Sequence, residues 1–117
     1  MNLKGIDTLI IRVTNLSKSK KWYTEKLGFE IIYETDQLLT LDTSCPVSIT
    51  LWVTNEPILP NPNTTSYPIF KTDNAEETYR YFQEINIPVG ELNKEEEVCY
   101  FNFYDPDGNI LEVCQVL

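Results

Sequence analysis

Apolar and β-branched residues crowd the stretch Leu3 to Thr14, a density expected of a strand buried on both faces. The period then changes. Leu16, Trp22, Tyr23 and Leu27 recur near helical spacing through SKSKKWYTEKL, with Asn15 or Ser17 placed to cap the helix. Gly28 is placed to end it, because glycine accepts the left-handed conformation just past a helix C-terminus. Three short strand-like runs follow, Phe29 to Glu34, Leu38 to Asp42 and Val47 to Thr54, so the first half reads β-α-β-β-β. Asn55 to Ser66 carries three prolines and no periodicity, as an exposed connection does.

The same order returns after it. Tyr67 to Thr72 reads as a strand, and Asp73 or Asn74 caps a helix AEETYRYFQEI whose Glu76 and Glu77 complement the N-terminal dipole. Tyr79, Phe82 and Ile85 give that helix an apolar stripe. Ile87 to Leu92 is a weaker strand, KEEE a solvated turn, and Val98 to Tyr104 and Asn109 to Val116 are two strong strands. Between the last two lies Asp105-Pro106-Asp107-Gly108-Asn109, with proline preset for the first central turn position and glycine free to take positive φ. The expectation is an α+β fold of two β-α-β-β-β modules: a single domain over 1–117, with module 1 at about 1–54, a linker at 55–66 and module 2 at about 67–117.

Composition narrows the chemistry. The 117 residues hold 9 Lys and Arg against 18 Asp and Glu, a formal charge of −9, and no histidine. Phosphate binding draws on Lys and Arg, so nucleic acid is not an expected partner. Without histidine there is no Ser-His-Asp triad and no imidazole metal site. Carboxylates, tyrosines, lysines and three cysteines remain. Cys45, Cys99 and Cys114 form no C-x-x-C pair and read as small buried hydrophobes of a reducing compartment. No run approaches the roughly 18 apolar residues of a membrane span, and the N-terminus lacks a signal-peptide pattern, so the chain reads as cytoplasmic with no membrane partner.

Two segments carry a resemblance. IDTLIIRVTNLSKSKKWYTEKLGFEIIYE contains Val13-Thr14-Asn15-Leu16, Ser19-Lys20-Lys21-Trp22-Tyr23 and Leu27-Gly28-Phe29. FNFYDPDGNILEV, Phe101 to Val113, supplies a Phe-x-Phe-x-Asp-Pro-Asp-Gly-Asn-x-x-Glu ending. Together they resemble the vicinal oxygen chelate superfamily of glyoxalases, extradiol dioxygenases, and fosfomycin and bleomycin resistance proteins. The resemblance implies a half-barrel sheet from each module with helices on the outer face, and a shared cleft commonly completed in a homodimer. It also implies metal ligands, usually His or Gln early and Glu late in the modules. Those positions fall here on Thr8, on Tyr67 or Ser66, and on Glu112, of which only Glu112 keeps the ligand type.

One carboxylate cannot build a tetrahedral or octahedral site, so neither a metal nor another cofactor is expected. If Thr8 and Glu112 face the cleft that the resemblance implies, strand alternation turns Ile10, Arg12, Ile110 and Cys114 toward it too. It also sets Tyr100, Asn102 and Tyr104 opposite Phe101 and Phe103, and Trp52 with Ser48 and Thr50. The candidate ligand-binding residues are Thr8, Arg12, Trp52, Tyr67, Tyr100, Asn102 and Glu112, with Glu112 the one catalytic candidate. Two functions stay open: metal-independent binding of a cationic or aromatic small molecule, and a glyoxalase- or dioxygenase-like enzyme with an atypical site. In the second, Glu112 acts as base and Tyr100 or Tyr67 as acid.

Overall fold

In the computed structural model, which describes residues Met1–Leu117, the first apolar run becomes strand β1 (Thr8–Val13) and nothing before it joins a sheet. Leu3 and Ile6 are exposed, because apolar character alone gives no backbone partner; the ladder opens only where Ser48 N–H donates to the Asp7 carbonyl. Nor is β1 buried on both faces as its composition suggests. Ile11 and Val13 are buried, whereas Ile10 is 47% exposed and Arg12 is exposed, since a helix covers one side only.

That helix is α1 (Leu16–Glu25), which packs on β3 (Leu38–Asp42) and β4 (Ser48–Val53); β2 (Glu30–Glu34) lies at the far edge. The sheet order is β1-β4-β3-β2, with β1 parallel to β4 and the other pairs antiparallel. Register aligns Leu9, Ile49 and Leu41 in one row and Ile11, Leu51 and Leu39 in the next. Beneath α1, whose Tyr23 is fully buried, these rows form an aliphatic core.

The second unit repeats the plan with different strands and the same connections. The elements β5 (Ile69–Lys71), α2 (Ala75–Glu84), β6 (Asn93–Lys94), β7 (Val98–Tyr104) and β8 (Ile110–Val116) give the order β5-β8-β7-β6, again with only the first pair parallel. Helix α2 packs on β7 and β8. The core is aromatic: Phe82 meets Phe103 and Phe101 edge to face with ring centroids 4.9 and 5.7 Å apart, and Tyr79 meets Phe101 at 5.0 Å. The Tyr79 hydroxyl donates to the Gly90 carbonyl at 2.8 Å, so its polar end is also satisfied. The chain thus has the α+β fold of two β-α-β-β-β modules. Its compact units are Met1–Ile58 and Leu59–Leu117.

Two expected strands move. Pro68 has no N–H to give a ladder, so β5 starts at Ile69 rather than Tyr67, and the irregular connection runs on through Pro68. The apolar run Ile87 to Leu92 makes only one bridge, Val89 to Phe103; Ile87 is buried as a loop anchor. The pairing strand is instead Asn93–Lys94, fixed by the hairpin in which Glu95 N–H donates to the Val98 carbonyl. Cysteines also divide: Cys99 is buried as expected, but Cys45 is exposed at the β3–β4 connection, where its sulfur meets Thr43 Oγ1 at 3.2 Å.

Asparagine caps both helices. Asn15 Oδ1 accepts from Lys18 N–H and Asn74 Oδ1 from Glu77 N–H, each at 3.0 Å. Gly28, with φ +73°, follows α1 as its sequence position predicts; Asn86, with φ +62°, does the corresponding work after α2. Charge is not shared evenly. Residues 1–58 hold six basic and seven acidic side chains, whereas residues 59–117 hold three and eleven.

Candidate functional site

Each sheet has one face that carries no helix, and alternation assigns the candidate residues to those faces. In the first unit, Thr8 and Arg12 of β1 lie beside Ser48 and Trp52 of β4 in register. Thr50 stands between these pairs and opposite Thr40 of β3. The Thr8 and Thr50 hydroxyls are 2.9 Å apart and those of Thr50 and Thr40 3.0 Å apart; Thr8 Oγ1 also lies 3.2 Å from the Ser48 carbonyl as its donor. The Arg12 guanidinium sits 5.3 Å from the centre of the Trp52 ring, a cation–π arrangement.

In the second unit, Glu112 of β8 is flanked across the sheet by Ile69 of β5 and Asn102 of β7. It is 8% exposed, and this burial alone pushes its carboxyl above the ordinary carboxylate range. Asn102 Oδ1 is buried with no hydrogen-bond partner. An orphaned acceptor beside a carboxyl favours the protonated acid for a second reason, since only the acid has a proton to offer it. Tyr100 shares the face. Glu95 beside it, burial and Glu112, in that order, hold its hydroxyl above the usual tyrosine range, with Tyr67 adding a smaller effect. The Tyr100 hydroxyl lies 3.5 Å from Glu95 Oε2.

The structure therefore collects Thr8, Arg12 and Trp52 on one helix-free face, and Tyr67, Tyr100, Asn102 and Glu112 on another. Sequence reasoning had Thr50 on the polar face of β4 but missed Thr40, because the β3–β4 register that brings it within reach is not local. It also missed Asp105, whose burial turns the Asp-Pro-Asp-Gly-Asn loop into a latch.

A buried acid with a raised pKa links protonation to folding. Neutral Glu112 contributes stability that is fully present below the ordinary carboxyl range and is lost as pH rises through the raised native value. Glu112→Gln never ionises and can donate to Asn102, so it is expected to melt about 2–5 °C above the natural protein near neutrality. The gap should close under acid conditions. Thermal melts of both proteins at a series of pH values check this, and a pH-independent difference would contradict it.

A family model described as Glyoxalase/Bleomycin resistance protein/Dioxygenase superfamily matches residues 5–113. The chain belongs to this superfamily. No curated protein matches it. Among solved structures, TnmS3, an antibiotic binding protein from Streptomyces sp. CB03234, superposes with a TM-score of 0.78 at 20% identity, over 100% of this chain and 99% of that one. Lactoylglutathione lyase from Agrobacterium tumefaciens gives 0.78 at 18% identity, over 97% and 95%. A glyoxalase family protein from Enterococcus faecalis gives 0.80 at 25% identity, over 97% and 99%. One glyoxalase fold thus spans a lyase and a binding protein, and fold alone does not choose between them.

The ligand positions implied for a metal-dependent glyoxalase superfamily member can be tested on these residues. No three His, Cys, Asp or Glu side chains converge anywhere in the structure. Thr8 has its hydroxyl engaged by Thr50 and the Ser48 carbonyl, and Tyr67 is neither a carboxylate nor an imidazole. A divalent ion requires several anionic or imidazole donors around it. These residues do not fit one. No helix is long and apolar enough to cross a membrane.

Proposed function

We propose that this chain is a metal-independent small-molecule binding protein of the glyoxalase/bleomycin resistance superfamily, sequestering an aromatic or cationic compound. The observation that carries the reading is Glu112: it keeps the family's ligand chemistry but stands buried beside Asn102, outside any group of three or more His, Cys, Asp or Glu side chains that could hold a metal. Released from a metal, that carboxyl becomes a hydrogen-bonding and charge-bearing anchor for an organic guest. The antibiotic-binding role of TnmS3, a structure aligned along the whole chain, supports the same direction. Trp52 on the helix-free face of the first unit, and Tyr67 and Tyr100 on that of the second, each supply flat aromatic surface of the kind such guests stack on. A homodimer in the cytoplasm is the assembly and place this reading carries with it.

A thermal-shift panel of cationic and neutral aromatic compounds tests the proposal. A guest present at a hundredfold its Kd adds about 2.7 kcal/mol to the stability of the native state, so binders should stand out as Tm gains of several degrees. Elemental analysis of protein purified without an affinity tag should find less than about a tenth of a divalent ion per chain. Stoichiometric metal, or turnover of a compound with no accompanying stabilisation, would overturn the reading.

A second reading is favoured by the proton inventory of the same face. Burial raises the Glu112 carboxyl and its surroundings raise the Tyr100 hydroxyl, so a carboxyl tuned toward proton exchange and a phenolic proton donor stand on one face. Glu112→Gln would abolish such an activity while leaving binding of a neutral guest.

A further inference from the structure

The three threonines on the helix-free face of the first sheet have a direction. Each hydroxyl carries one proton, and three contacts are available: Thr8 to the Ser48 carbonyl, Thr8 with Thr50, and Thr50 with Thr40. A carbonyl oxygen only accepts. All three contacts are made together in one arrangement only, in which Thr8 donates to Ser48, Thr50 donates to Thr8, and Thr40 donates to Thr50. Reversing the row so that Thr40 turns its proton outward forfeits the Ser48 contact. Thr50 is 6% exposed, which shuts its hydroxyl away from solvent, whereas Thr40 is half-buried at the open end. The row therefore ends in an oxygen whose proton is already committed and whose lone pair is free.

We propose that the Thr8–Thr50–Thr40 row is a polarised subsite that selects guests carrying an N–H or O–H donor on a planar ring, with Thr40 Oγ1 as the acceptor and Thr8 as the residue that sets its polarity. This rests on the small-molecule reading above and names the ligand chemistry that one face takes. The surroundings fit a flat guest: Trp52 follows Thr50 on the same face of β4, Leu38 lies opposite Trp52, and the exposed Tyr33 lies opposite Thr40. Arg12 already presents its positive charge to the Trp52 ring, which favours a neutral donor over an ammonium here.

The probes are two isosteric pairs, indole with benzofuran and carbazole with dibenzofuran, which differ in replacing a ring N–H by an oxygen. Binding is followed by amide chemical-shift titration at Thr40, Thr50 and Trp52. The N–H member of each pair is expected to bind about fivefold more tightly, equivalent to about 1 kcal/mol. Thr40→Val should erase the preference and Thr40→Ser retain it. The decisive variant is Thr8→Val, distant from the acceptor: removing the Ser48 anchor lets the remaining two hydroxyls orient either way, so the preference should vanish, and Thr8→Ser should restore it. The serine variants also show whether a valine variant lost its fold rather than its polarity. Equal affinity within both pairs, or a preference that survives Thr8→Val, overturns the subsite and leaves the small-molecule reading standing. Failure of all four probes to bind this face overturns the subsite and counts against that reading as well.

Discussion

Phe101→Ala is expected to destabilise the protein by about 4 kcal/mol, within the range for deleting a buried aromatic ring. Phe101 is fully buried at the centre of the second unit, with Tyr79, Phe82 and Phe103 around its ring. Removing it takes away transfer free energy and also leaves a void that three rigid rings cannot collapse to fill. Against a total stability of about 5–15 kcal/mol, the loss should be plain in a urea titration as a lowered midpoint. Phe101→Leu, which keeps much of the volume, should recover more than half of it. A loss under about 1.5 kcal/mol for the alanine variant would mean that the aromatic cluster is not the core of the second unit.

Asp105→Ala is expected to cost about 3 kcal/mol, although the residue sits in a turn. Its carboxylate is 5% exposed, and its oxygens are fully used: Oδ1 accepts the N–H groups of Asp107 and Asn109 at 3.0 and 2.8 Å, and Oδ2 accepts from Asn109 Nδ2 at 2.9 Å. Alanine would leave two part-buried backbone donors orphaned in the hairpin that joins the two central strands of the second sheet. Asp105→Asn keeps the Oδ1 acceptor but turns an amide toward another amide at Asn109, so about half the loss should remain. Equilibrium unfolding of the two variants side by side checks the order. If asparagine proves as harmful as alanine, the backbone contacts are not what the carboxylate supplies.

Much of this was legible locally. Gly28 and Gly108 announce left-handed positions, and both take positive φ; the alternation of β7 places Phe101 and Phe103 inward and Tyr100, Asn102 and Tyr104 outward, as the sequence pattern requires. What was not legible depended on partners remote in sequence. Leu3 and Ile6 look like strand residues but meet no ladder. The polar Asn93–Lys94 becomes a strand in place of the apolar Ile87 to Leu92 because Cys99 and Tyr100 pair with it. The site divided the same way. Glu112 stood out through the ending of the chain, whereas the threonine row joins positions 8, 40 and 50, which only the order β1-β4-β3 makes neighbours. Position in sequence showed which residues could be polar on a face, and tertiary register decided which of them touch.

Strand β2 closes one edge of the first sheet with its outer backbone groups unpaired, and all five of its residues are exposed. Its centre, Ile31-Ile32-Tyr33, is the kind of apolar edge on which chains stack into fibrils. The ends answer this. Two copies meeting antiparallel about Ile32 would set Glu30 of each against Glu34 of the other, like charges face to face at both ends of the seam. The bulge between Ile31 and Tyr33 breaks the straight template as well, and Lys20, 2.7 Å from Glu34, holds that carboxylate in place. An edge that looks adhesive by hydropathy is thus guarded by its own termini, whose carboxylates oppose the pairing that its centre invites.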